Sequence, residues 1–94
     1  MQANKNNRLA MSTGKVTVTT DSSQMEVTLD SSVHPSEKGI VVIPTMLGTE
    51  ANVNVYVKSQ SNSTGEWVIT FGLSAAAMSA TGYEISYIAY SSTV

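Results

Sequence analysis

Ninety-four residues make one small domain, and at that size only about 60–65% of the unfolded chain's surface leaves water on folding, so the core is thin. With no cysteine and a single histidine, neither a disulfide nor a His/Cys metal site can staple it, which leaves oligomerisation as the route to more buried area. Charged residues at 13%, apolar residues at 41% and a net charge of −2 exclude a disordered chain and give no global attraction to nucleic acid or an anionic membrane surface.

Residues 1–13 (MQANKNNRLAMST) are polar, Asn-rich and without period, the composition of an extended N-terminal arm. Lys5, Arg8 and Lys15 are three of the five basic residues, with no acid beside them in the first fifteen positions. The arm therefore suits an acidic partner surface, with Leu9 and Met11 as its apolar pegs. It also lacks the apolar core of a secretory signal, which leads us to expect a product of the cytoplasm. No stretch approaches the ~20 apolar residues of a membrane span.

From Gly14 to the C-terminus (14–94) the chain reads as one β-domain. Residues 15–20 (KVTVTT) and 25–30 (MEVTLD) alternate apolar and polar around a polar turn, which predicts two half-buried strands joined as a hairpin. A turn-rich stretch, 31–39, leads to Ile40-Val41-Val42-Ile43-Pro44. That short, branched run predicts a central strand covered on both faces and closed by its proline. Met46 and Leu47 follow in a loop, and either cap the end of the domain or touch a neighbouring chain.

Residues 52–58 (NVNVYVK) alternate most cleanly, with Val53, Val55 and Val57 inward and Tyr56 outward. A polar loop, 59–66, separates them from 67–73 (WVITFGL), where Trp67, Ile69, Phe71 and Leu73 share a face and Gly72 marks a bulge or a close approach. Residues 74–82 read as a compact loop. The last strand, 83–90 (YEISYIAY), is apolar in both registers: Tyr87 lies on one side, Ile88 and Tyr90 on the other. Together with Met46 and Leu47 these are the predicted oligomer interface. Six strands with turns every eight to twelve residues predict an all-β fold, a small antiparallel β-sandwich or barrel.

Catalytic chemistry finds little support. His34 and Glu37 are three apart, but Pro35 between them breaks any helix that would align them, so His34 is expected to be structural. No spacing pattern ties a serine and an acid to it, so enzyme activity is not expected. The acids are dispersed, with no calcium-type loop, and no cofactor is expected. Asn62-Ser63-Thr64 matches a glycosylation sequon and reads better as a turn. Tyr56, between the wet neighbours Asn54 and Lys58, is the best placed aromatic for contact with a glycan.

The segments Val16-Thr17-Val18, Glu26-Val27-Thr28-Leu29, Ile40-Val41-Val42-Ile43-Pro44-Thr45, Val55-Tyr56-Val57, Trp67-Val68-Ile69-Thr70-Phe71 and Ile85-Ser86-Tyr87-Ile88-Ala89-Tyr90 together resemble the small β-sandwich modules of tailed-phage virion proteins. Such modules form capsid decoration (cement) proteins and H-type-lectin-like tail-fibre tips, commonly as homotrimers. A fibre tip needs a shaft, and this chain has no heptads. The resemblance therefore implies a structural protein on the outer capsid surface of a virion. Its partners would be the major capsid protein, gripped by the arm, and its own copies in a homotrimer. The alternative is a tail-fibre tip or glycan-binding module.

Overall fold

The computed structural model describes residues 9–18, 22–47, 53–74 and 84–92, which form six strands and, among them, no helix. The strands are β1 (Leu9–Thr17), β2 (Gln24–Thr28), β3 (Ile40–Leu47), β4 (Val55–Ser61), β5 (Val68–Leu73) and β6 (Glu84–Ser92). They make two three-stranded antiparallel sheets, ordered β1-β6-β3 and β2-β5-β4. The expected all-β sandwich is the fold of the chain.

The core lies between the sheets because each strand sends alternate residues inward. From β1-β6-β3 come Ile85, Ala89 and Val42; from β2-β5-β4 come Ile69, Phe71 and Leu73. Phe71 and Tyr87 meet across the gap, ring centroids 5.6 Å apart and tilted by 38°, a favourable aromatic geometry. Val18, Leu29 and Val53, just outside the ends of β1 and β2 and before β4, close the core.

Each sheet also holds a glycine opposite a tyrosine. Gly14 pairs with Tyr87 and Gly72 with Tyr56, and in both cases the tyrosine ring occupies the space where a glycine Cβ would stand. The close approach anticipated at Gly72 is therefore the Tyr56 ring. Such cross-strand cover restores packing that glycine takes from a strand.

The 30–39 connection carries the chain from one sheet to the other and is fastened to both. Asp30 starts it with an Asx-type turn, its Oδ1 accepting from Ser32 N at 2.9 Å and Ser32 Oγ at 2.7 Å. Trp67 Nε1 donates to the carbonyls of Lys38 (2.9 Å) and Pro35 (3.2 Å). His34 turns the other way, into the first sheet.

Four expectations need correction. The segments predicted to form a hairpin lie in different sheets: an alternating pattern says that one face is buried, and here the two buried faces oppose each other across the core rather than lying side by side. Among the described residues the run at Ile40 is an edge strand, not a central one, and Pro44 does not close it, since β3 runs on through the expected loop residues Met46 and Leu47; β6 and β5 are central, and Val41 and Ile43 are exposed. Apolar residues in both registers fit an exposed apolar face as well as they fit double cover. Residues 9–13, expected in the arm, already belong to the sheet, because their backbone continues the ladder with β6, which requires no apolar period. Likewise β4 runs on through Ser61, into the predicted polar loop.

Candidate functional site

Strand alternation gives the β1-β6-β3 sheet an outer face of four rows across three strands. The rows are Met11–Tyr90–Val41, Thr13–Ile88–Ile43, Lys15–Ser86–Thr45 and Thr17–Glu84–Leu47. Met11 is 58% exposed, Val41 57%, Ile43 49% and Leu47 43%. The first two rows hold five apolar side chains and no charge. Lys15 and Glu84 occupy the last two. An uncharged apolar half with the charges confined to the other has the composition of a protein interface, apolar where it is covered and polar at its rim.

The outer face of the other sheet is its opposite. Its rows are Gln24–Gly72–Tyr56, Glu26–Thr70–Ser59 and Thr28–Val68–Ser61, and Lys58 Nζ donates to Gln24 Oε1 at 2.7 Å. This is a solvated surface. The sandwich thus has one wet outer face and one that is apolar over its first two rows.

Of the residues predicted for the oligomer interface, Leu47, Ile88 and Tyr90 share the apolar face, whereas Met46 and Tyr87 point the other way and pack against the core. Alternation forces that division, since neighbours in a strand cannot share a face. Of the arm residues, Met11 lies on this same face, Leu9 opens β1, and Lys5 and Arg8 lie outside the described residues. Val41, Ile43 and Thr13 complete the patch. Their signal is present in the sequence, as positions in step with the partners Ile88 and Tyr90, but a run apolar in both registers points equally to the interior.

At the inner side of the same sheet lies a polar chain. His34 has no exposed surface. Its Nε2 is 2.7 Å from Ser12 Oγ on β1 and its Nδ1 is 3.0 Å from Ser91 Oγ on β6. Ser91 Oγ donates to the Val33 carbonyl at 3.4 Å. Its oxygen is then the acceptor for Nδ1–H, and unprotonated Nε2 accepts from the Ser12 hydroxyl. Burial holds the imidazole pKa below its ordinary 6.5, against a smaller opposing pull from Asp30. The Asp30 carboxyl is itself below its usual 3.8, chiefly because the Ser32 hydroxyl and then the Ser32 N–H donate to it.

A serine on one imidazole nitrogen and an orienting group on the other is the order of parts in nucleophilic catalysis. Here the base is sealed in the interior and Ser12 points inward from β1, so the chain acts as a clamp, binding the 30–39 connection to β1 and β6 at once. Among the described residues no group of three or more His, Cys, Asp or Glu is placed to hold a metal ion. Tyr56 is half exposed, lying over Gly72. No family model, curated protein or solved structure matches the chain.

Proposed function

We propose that this chain is a non-catalytic virion structural protein, a capsid decoration (cement) protein that lies on the outer shell and stabilises it by bridging coat subunits. The observation that carries this reading is the apolar outer face of β1-β6-β3, set against the polar outer face of the other sheet. Covering the exposed halves of Met11, Val41, Ile43 and Leu47 contributes about 1 kcal/mol each. That is weak for one copy, and repetition over a shell turns weak contacts into a durable clamp.

The test is co-sedimentation with purified shells. Val41→Asp/Ile43→Asp, two exposed positions, should fold as the parent does and bind at least about tenfold more weakly, since two carboxylates are then desolvated on docking. Undiminished binding would remove this face from the mechanism. Copy number per virion, measured against the major coat protein, locates the chain: comparable copies support the shell, a handful the tail.

Tyr56 favours a second reading, a glycan-binding fibre-tip module. One side of its ring covers Gly72 and the residue is half exposed among Gln24 and Lys58, a platform suited to stacking on a sugar ring. Soluble glycan binding that is lost in Tyr56→Ala would favour it.

A further inference from the structure

The two sheets have four outer strands, and three of them are blunted against further pairing. β2 is only five residues long. β4 carries a register shift between Val57 and Ser59, with Lys58 at the irregularity. β3 has Pro44 in its middle, where a strand added at that edge would find no N–H. Short length, bulges, lysine and proline are the means by which sheet edges avoid unwanted partners. β1 has none of these except Lys15. It runs nine residues, pairs without a break from Leu9↔Ser92 to Thr17↔Glu84, and among the described residues has β6 as its only strand neighbour.

Pro44 also reveals which β1 groups lie at the open edge. A proline is tolerated in an edge strand where its nitrogen faces away from the ladder, so Pro44 and its partner Tyr87 exchange no backbone bonds. Backbone direction alternates along an antiparallel strand, so Tyr87 bonds on its other side, to Gly14. The even positions of β1 therefore serve β6. Leu9, Met11, Thr13, Lys15 and Thr17 present their N–H and C=O groups outward, and from Met11 onward these are the positions whose side chains belong to the outer face of the sheet.

We infer that β1 pairs antiparallel with β1 of a second copy about a two-fold axis at Thr13, joining the two β1-β6-β3 sheets into one of six strands. This register uses all nine residues. It sets Thr13 against Thr13, Leu9 against Thr17, and Met11 against Lys15, so no like charges stand opposite each other. The axis is perpendicular to the sheet and keeps both outer faces on one side. One outer face, three strands about 4.8 Å apart and nine residues of about 3.3 Å each, measures roughly 400 Å². That is about half of the ~800 Å² a partner contributes to a stable interface, and the pair supplies the whole. The pairing deepens the docking reading above but stands without it, because it needs no shell.

The experiment is sedimentation equilibrium of the full chain without shells. The expected mass is that of two chains; a monomer, or the trimer implied by the phage resemblance, would overturn the inference. Met11→Lys places a second lysine opposite Lys15 at two points of the pair and should weaken it about three- to tenfold, and adding Lys15→Glu should restore it. A loss that Lys15→Glu does not restore would place the contact elsewhere. Thr13→Pro removes the central outward N–H and should sediment as a monomer while remaining folded by circular dichroism; if it does not fold, the charge exchange decides alone.

Discussion

Two glycines with the same pattern differ in what surrounds them, and that difference sets the cost of adding one methyl group. A Cβ on Gly72 meets the ring end of Tyr56, which is half exposed and free to swing into water. A Cβ on Gly14 meets the ring end of Tyr87, which packs against the core and against Phe71. Gly14→Ala should therefore cost about 1–3 kcal/mol by overpacking, and Gly72→Ala less than about 1 kcal/mol. Urea unfolding of the two variants checks the order; equal losses would mean that the Tyr87 ring has room to move. Gly72 and Tyr56 are both conspicuous in the sequence, but their contact is not, because the register between β4 and β5 is a property of the folded sheet.

Among the elements, β1 departs most from its reading as sequence. Its first five residues read as the end of an arm, yet their backbone pairs with β6 and Ser12 reaches His34. Truncation to Leu9 keeps all nine residues of β1 and the Ser12–His34 bond, and is the reference for a deeper one. Removal of residues 1–13 takes five of the nine residues of β1 and leaves His34 Nε2 without its partner, which should cost at least about 2 kcal/mol. Thermal melts of the two truncations make the comparison. Equal melting temperatures would show that residues 9–13 contribute nothing to the fold. A ladder of backbone hydrogen bonds has no hydrophobic period, so pattern reading misses a strand whose inward residues are Ala10, Ser12 and Gly14.

At the scale of the whole molecule, a thin core lies between the two sheets, and among the described residues the 30–39 connection is clamped at both ends, by Trp67 on one side and His34 on the other. The His34 clamp makes stability depend on pH. Burial places the folded pKa below 6.5, so the unfolded chain takes up the proton first as pH falls. The contribution of neutral His34 is complete above about pH 6.5 and is lost progressively below it, down to the folded pKa. Asp30, the acid that acts on the ring, opposes burial but does not overcome it. The urea midpoint should fall between about pH 7.5 and about pH 5, while His34→Gln, which does not titrate, should stay nearly flat over that range. Parallel profiles for parent and variant would remove His34 as the cause.

By itself the sequence determined the fold class, the six strands of the described residues and most of the core, because alternation with period two is imposed by the pleat and survives any arrangement of partners. It also drew notice to Ile88 and Tyr90, through the second apolar register of the last strand, and to Leu47, as a bulky residue in an expected loop, but it did not put the three on one face. Tertiary structure alone decided which strands are neighbours, and hence that Ile40–Leu47 is an edge and that Val41 and Ile43 join Met11 on one face. It alone brought Ser12, His34 and Ser91 together from positions 22 and 57 residues apart. Pairing between distant strands depends on how two apolar faces meet across a core, and no local period carries that information.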